Sequence, residues 1–456
     1  VGASKVAVDL EDLQKDLSAA GVRNVVGTVV DNSGVTRVKC FPLGKLPSAA
    51  SSGIGISEVM PLYLVNDHFA TGAPISGPTG DLRLFPDIGC LVQLASAPGW
   101  AWAPFDQHGQ DRKESPGCQR SLLRRMVDAA GSRGYTLKMA YELEWFVCRA
   151  SEKGLLPIHC GPGYSANAWA ASRPLVDDLL AALEIEGLMV EQFHPEYAVG
   201  QLEVSLPVAD PLRAADSLVL LKMTIRTWAE NHGLLVSFSP ISVAGQVGNG
   251  CHVHFSLWDS SGGNLFASGD EPLRISRVGE RFIAGVLTEL PALVSLSCPS
   301  VLSYSRIQPH LWAGAFQCWG HENREAALRF ITGTSGIEGR GANMEFKSAD
   351  PAANPYLVAG AIIAAGLAGI DRDLRLPPPV AEDPGNLSEE DRRRLNISHL
   401  PESVEDAADA LANSETLKAA IGEFLTDCIV AVRRSEAKAF AGVEFRDLVE
   451  QHLWRY

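Results

Sequence analysis

Residues 138–147 read K-M-A-Y-E-L-E-W-F-V, a run rich in β-branched and aromatic residues and about the length of one strand. Side chains two apart on a strand share a face. Glu142 and Glu144 therefore point the same way from an otherwise apolar ribbon. Two such carboxylates repel each other and are costly to desolvate, and cations relieve both costs. A solvated sheet face is the plain alternative for this stretch taken alone.

The same reading orders the rest of the chain. Helical spacing of Leu10, Leu13 and Leu17 predicts a helix over 8–20 that ends at Gly21. Residues 25–30 and 35–41 are β-rich runs around a D-N-S-G turn signal at 31–34. Residues 46–80 are rich in Ser, Gly and Pro and show no clear period. Short strands are predicted at 82–85, 90–94 and 100–103. The polar, turn-rich segment 105–117 marks a boundary, so 1–114 and 115–456 are expected as separate domains.

Beyond the boundary an amphipathic helix is predicted at 118–130. Ser172 and Pro174 cap and start a helix to about Glu186, closed by Gly187. Strands follow at 188–194 and 201–206, then a helix over 210–232. Strands at 235–239 and 252–258 bracket the glycine-rich loop 244–250. Further strands are predicted at 315–319, 326–331 and 343–346. From 354 onward the chain reads as mainly helical, apart from a loop at Pro377–Pro379.

Composition narrows the picture. The chain has 456 residues, 46% hydrophobic and 20% charged, with net charge −15. That is ample for a core and for two or more domains. Lys and Arg are too few and too scattered for a nucleic-acid surface. The nine cysteines show no C-x-x-C pair, which fits free thiols in a reducing cytoplasm. The longest apolar run, 356–370, is too short to span a bilayer, and 1–12 lacks the apolar core of a signal peptide. A soluble, cytoplasmic protein with no membrane partner is expected.

The chemistry sits in repeats of the first pattern. Residues 190–206 (V-E-Q-F-H-P-E-Y-A-V-G-Q-L-E-V-S-L) place Glu191, Glu196 and Glu203 in or beside apolar strand sequence. H-V-H-F-S at 252–256 and N-M-E-F-K at 343–347 do the same. Together they supply Glu142, Glu144, Glu196, Glu203, Glu345 and His252. Oxygen ligands favour Mg²⁺ or Mn²⁺, and a lone imidazole tolerates Mn²⁺ or Zn²⁺. A shared site for that many acids needs two or more divalent ions, and such clusters usually serve phosphoryl transfer. Arg306, Arg324, Arg329 and Arg340 are the candidate phosphate and carboxylate forks. With no P-loop and no kinase-type glycine loop, ATP has to be held through metals and arginines.

Four motifs, in order, resemble the glutamine synthetase family over nearly the whole chain. They are the E-L-E strand, the block 190–203, the loop G-N-G-C-H-V-H-F-S at 248–256, and E-F-K-S-A-D-P-A-A-N-P-Y at 345–356. The resemblance implies an α+β fold: an N-terminal β-grasp domain and a catalytic domain of antiparallel sheet plus helices. It also implies a homo-oligomeric ring, with twelve subunits expected and each active site between two of them. By resemblance, Glu144, Glu196 and Glu203 match the ligands of the metal nearer the glutamate substrate. Glu142, His252 and Glu345 match those of the metal on the nucleotide phosphates. Glu191, His254 and Ser256 match nucleotide-contacting positions, and Arg340 is grouped with them. Arg306 matches the arginine that grips glutamate, with Gly248 in the neighbouring backbone loop. Arg324 and Arg329 match arginines on the transferring phosphate and the nucleotide. Arg324, Arg306 and Glu345 are the residues expected to act on the reacting groups.

The departures from the family pattern concern the amine. The catalytic acid that helps enclose ammonium is matched by Trp312, with Trp319 a few residues on. The second ammonium-site acid has no counterpart; Gly53–Ser57 occupies its place. Lys347 stands for a glutamate-site arginine. Val247 aligns with the family's asparagine, for which Asn249 substitutes if the register shifts. The regulatory tyrosine of the late loop is missing from 386–389. Within the family, Q-F-H-P-E-Y and C-W-G-H-E-N-R-E-A-A look most like the actinobacterial γ-glutamylpolyamine synthetases. The expected activity is ATP-dependent ligation of glutamate to an organic amine, a polyamine favoured, through γ-glutamyl phosphate. The alternatives are an ammonia-dependent enzyme with a rebuilt site, in which Trp312 is a core aromatic and an acid such as Glu322 has taken over, and a non-catalytic structural or regulatory relative.

Overall fold

The computed structural model describes residues 9–75, 79–270 and 272–456. The expected helix start at Val8 and the rest of 1–8 lie outside the described residues. Helix α1 (Leu10–Ala19) opens on Asp9, whose carboxylate accepts the N–H groups of Glu11 and Asp12. The hairpin β1 (Asn24–Val30) and β2 (Thr36–Pro42) follows as its turn signal predicts. Helix α2 (Leu46–Ser52) and strand β3 (Ile54–Ser57) lie where no period was legible. Strands β4 (Asp81–Pro86), β5 (Val92–Gln93) and β6 (Trp100–His108) complete a sheet of order β2-β1-β6-β4-β3, with β5 beside β6. Strand β6 continues into the expected boundary segment because Phe105 is a core residue, packed where Gly27 leaves room for its ring.

Helix α3 (Gln119–Ser132) leads into the long central strand β7 (Tyr135–Ser151), which turns back as β8 (Gly154–Pro157). Helix α4 (Ala166–Ile185) begins six residues before Ser172, which corrects the expected start. Ser165 is the cap, Ser172 bonds back to the Ala168 carbonyl, and Pro174 sits inside the helix. Strand β9 (Gln192–Pro195) is shorter than expected at its start. Next come β10 (Gln201–Ser205), α5 (Pro211–Asn231), β11 (Leu235–Ser237), β12 (Cys251–Asp259), α6 (Arg277–Ser297) and α7 (Ser303–Arg306). They are followed by β13 (Phe316–His321), β14 (Ala326–Ile331), α8 (Glu338–Gly341), β15 (Asn343–Phe346) and α9 (Pro355–Asp371). The chain ends in α10 (Glu389–Arg394), α11 (Val404–Asn413), α12 (Glu415–Ile421), α13 (Glu423–Ala439) and α14 (Phe445–His452).

The second sheet runs β13-β14-β15-β12-β7-β10-β9, with β8 and β11 also on β7. Tyr141, Leu143, Trp145 and Val147 of β7 are buried in the main core, beside α3 and α5. That alternation commits Glu142 and Glu144 to the opposite face. Helix α9 is buried almost throughout, capped by Asn354 and opened by Pro355, as its composition predicts.

The β1–β2 turn is not a solvent loop. Asp31, Asn32 and Ser33 are all buried. Asn32 donates to the Pro61 carbonyl at 2.8 Å, and Asn354 donates to the Val30 carbonyl at 2.9 Å. Ser33 Oγ lies 2.7 Å from Glu436 Oε1 on α13. At Gly34 (φ 81°) a Cβ would stand 1.5 Å from the Ala352 carbonyl oxygen, so only glycine fits. The turn is a plug between α9 and α13.

Candidate active site

Strand register assembles the polar face. Glu203 pairs with Glu144 on one side and His194 on the other. Glu142 pairs with Ser205 and with His252. One rung further, His254 pairs with Glu345, which in turn pairs with Arg329. Six strands thus bring onto neighbouring rungs residues that are up to 203 positions apart, from Glu142 to Glu345.

Two groups have donor atoms all within 4.8 Å of one another. The first is Glu142, His252 and Glu345. His252 Nδ1 lies 3.5 Å from Glu142 and 3.4 Å from Glu345. Burial pushes the His252 imidazole down to about 4, helped by the Lys347 charge, so the ring is neutral and ready to donate a lone pair. Burial works against ionising Glu142, but His252 and His254 hold its carboxyl well below the usual range. Glu345 is likewise held down against its burial, chiefly by Lys347 and His252. Lys347 Nζ is 2.9 Å from Glu345 Oε1, and Arg329 Nη1 is 3.0 Å from Oε2.

The second group is His194, Glu196 and Glu203. His194 Nε2 stands 3.5 Å from Glu196 and 3.4 Å from Glu203, and hydrogen bonds to both raise it to about 10. Tyr164 stacks on His194 at 5.4 Å and donates its hydroxyl to Glu196. Glu144 is not in this trio. Its Oε2 accepts the Gly250 N–H at 2.8 Å and Gln201 Nε2 at 2.9 Å. Burial and then the neighbouring Glu203 and Glu196 push its carboxyl up to about 8. Three acids so placed, with only one imidazole among them, leave negative charge that a cation would neutralise. The first trio fits a divalent ion as it stands, since an oxygen-rich set with one neutral nitrogen suits Mg²⁺ or Mn²⁺. In the second, Glu196 and Glu203 offer oxygens, and His194 would have to give up its proton before its nitrogen could join them.

The loop before β12 needs its glycines. A Cβ at Gly248 would meet the Pro240 carbonyl at 2.4 Å. One at Gly250 would meet Arg306 Nη2 at 2.7 Å, His252 Nε2 at 2.8 Å and Glu144 Oε1 at 3.0 Å. Asn249 is buried and fully engaged, donating to Ser239 O and Ser242 Oγ and accepting from Gln201. Its amide braces the loop. Arg306 is buried, with Nη2 3.3 Å from His252 Nε2 and 3.4 Å from the Lys347 carbonyl, while Nη1 has no partner among the described residues.

A cleft of about 230 Å³ opens beside the first trio, lined by Glu142, His254, Ser256, Lys138, Trp258 and Arg340, among others. His254 is fixed by Asn343 at 2.9 Å, and Ser256 Oγ accepts the Trp258 indole N–H at 2.8 Å. Glu191 is exposed ahead of β9, outside this lining. Trp312 is 56% exposed, so it is no core aromatic. Glu322 is engaged by Arg329 at 2.8 Å. Trp319 is buried, its N–H on the Pro377 carbonyl, and it does not share the exposure of Trp312. His194, Tyr164 and Gln201 were not anticipated as site residues; His194 and Tyr164 become visible only once β9 and β10 are paired.

Residues 116–448 match the family described as glutamine synthetase, catalytic domain. The class is that of the ATP-dependent glutamate–amine ligases, whose members use ATP and divalent metal ions. Gamma-glutamylpolyamine synthetase GlnA3 of Streptomyces coelicolor is 42% identical over 97% of this chain and 96% of its own. Glutamine synthetase of Thermotoga maritima is 33% identical over 74% of this chain and 76% of its own. Among solved structures, a novel glutamine synthase homolog superposes with TM-score 0.85 at 32% identity, covering 95% of this chain and 99% of that one. A GmaS/ADP complex does so with TM-score 0.83 at 26% identity, covering 96% and 98%. The chain belongs to the glutamine synthetase family. Among the described residues, no helix is long and apolar enough to cross a membrane.

Proposed function

We propose that this chain joins the side-chain carboxylate of glutamate to an alkylamine, a polyamine above all, at the expense of ATP. The observation that carries the amine reading is Trp312: a solvent-facing indole stands where an ammonium-binding acid is expected. An indole cannot take a proton from ammonium. It can lie along a methylene chain or hold an alkylammonium by cation–π attraction, worth about 0.5–2 kcal/mol. The polyamine activity named for the Streptomyces coelicolor relative supports the same reading.

In the proposed sequence, a glutamate γ-carboxylate oxygen attacks the γ-phosphorus of ATP and ADP leaves. The alkylammonium gives one proton to solvent, the free amine nitrogen attacks the acyl carbon, and phosphate departs with the C–O bonding pair as the nitrogen sheds its second proton. Arg306, with Nη1 unpartnered among the described residues, is placed to grip a substrate carboxylate. Arg329 and Arg324 are read as the cations facing the transferred phosphoryl group. His254, Ser256 and Arg340 line the cleft in which we place the nucleotide, with Glu191 outside it. Glu142, His252 and Glu345 would hold one Mg²⁺ or Mn²⁺; Glu196 and Glu203, with His194 or Glu144, would hold a second. Bound there, the ions would neutralise phosphate charge.

We further read the chain as two domains, 1–114 and 115–456, that assemble into a cytoplasmic ring, twelve subunits favoured. The test of function is phosphate release from ATP with glutamate and a panel of spermine, spermidine, putrescine, methylamine and ammonium. The reading expects alkylamines to support turnover and ammonium to do so poorly. Ammonium used as well as any amine would refute it.

A further inference from the structure

The flap that carries Trp312 is tied on both sides. His310, Trp312 and Gly314 all adopt left-handed backbone, at φ 65, 54 and 70°. His310 Nδ1 is 2.8 Å from Asp383 Oδ2. The Trp312 N–H donates to Glu325 Oε1 at 2.9 Å, and Ser348 Oγ donates to the Gly314 carbonyl at 2.7 Å. The indole is thus aimed by its main chain, while its ring stands in solvent.

One face of that ring is taken. The Arg324 guanidinium carbon lies 5.7 Å from the indole centroid. Arg324 is exposed, and no carboxylate pairs with it among the described residues. The acids flanking it are committed elsewhere, Glu322 to Arg329 and Glu325 to the Trp312 main chain. The indole is therefore the partner the fold gives to this arginine.

A ring face that holds one cation repels a second. We infer that Arg324 gates the amine: its guanidinium sits on the Trp312 face that a substrate alkylammonium would use. This rests on the amine site proposed at Trp312. The amine binds well only after Arg324 has swung off the ring, and an anion beside Arg324 is what draws it off. Amine and anion then favour each other's binding, by the reciprocity any coupled pair of sites obeys. The gate orders the reaction, holding the amine back until a phosphoryl group is present.

The test is calorimetric titration of spermine into the full-length protein without ATP. Arg324→Gln should tighten spermine binding at least threefold. In a Trp312→Ala background the same substitution should change it less than 1.5-fold. Equal tightening in both backgrounds would mean mere removal of a positive charge and would overturn the gate. So would unchanged or weaker binding in Arg324→Gln, or no spermine binding in either protein. A parent enzyme that turns over with spermine while Arg324→Gln binds it no tighter defeats the gate alone. A parent that uses only ammonium defeats the amine reading itself.

Discussion

Glu144 shows how the site stores electrostatic cost in single residues. Its carboxyl is raised to about 8 by burial and by Glu203 and Glu196, from an ordinary value of 4.5. A carboxyl raised in the folded state adds stability that is complete below pH 4.5 and is lost as pH climbs through 8. In excess chelator, Glu144→Gln should therefore match the parent's melting temperature near pH 5 and exceed it near pH 8.5. Equal melting temperatures at both pH values would show that the acids do not repel. Added Mn²⁺ should stabilise the parent more than the variant, since ions that bind only the folded state raise its stability. Activity should be lost in Glu144→Gln, which separates catalytic from structural damage. His194 shows the opposite limit of reading residues singly. It precedes Pro195 in a strand of four residues, and nothing local marks it as different from a solvated histidine. Its partner Glu203 is nine positions on and becomes a neighbour only through the β9–β10 pairing.

At the scale of elements, one side chain ties two strands to a loop. Gln201 Nε2 has two hydrogens and three acceptors: Glu144 Oε2 at 2.9 Å, the Gly248 carbonyl at 3.0 Å and Asn249 Oδ1 at 2.9 Å. Its own Oε1 accepts the Ala198 N–H at 3.0 Å. Gln201→Leu should cost about 1–3 kcal/mol through buried acceptors left unpaired. It should also raise the KM for glutamate about tenfold by loosening the loop, and steady-state kinetics with denaturant melts would check both. Alternating polar and apolar side chains write a strand's period into the sequence, which is why β7, β10, β12 and β15 are legible there. Which strand lies beside which is set by distant pairing, so alternation alone does not divide the acids into two groups; only the resemblance does. The resemblance grouped Glu144 with Glu196 and Glu203, whereas the geometry puts His194 with those two. The start of α4 was misplaced because Pro174 looks like a first-turn residue, while Ser165 supplies the cap. Helix α2 went unseen because its serines and alanines carry no stripe; only Leu46 and Ala49 are buried.

At the scale of the whole molecule, Glu436 binds the first sheet to the C-terminal helices. It accepts the Val65 N–H at 2.8 Å and contacts Ser33, and burial raises its carboxyl to about 7 despite Arg433. By the same sign, its contribution is complete below pH 4.5 and is lost as pH rises through 7. Glu436→Gln should flatten the fall in stability over that window, by up to about 3 kcal/mol at pH 8. Urea melts at pH 5 and pH 8 would decide it; an unchanged pH slope would contradict the assignment. The proposed ring makes its own demand, that light scattering at micromolar concentration give a mass well above one subunit. The plugged turn also has a consequence for biosynthesis. Ser33 leaves the ribosome 403 residues ahead of Glu436. At about 5–20 residues per second, that is a wait of roughly 20–80 s during which buried Ser33 lacks its Glu436 contact. The nascent first sheet has to survive that interval unfinished, which makes this turn, rather than the catalytic face, the place where slow translation or a premature stop would first meet chaperones.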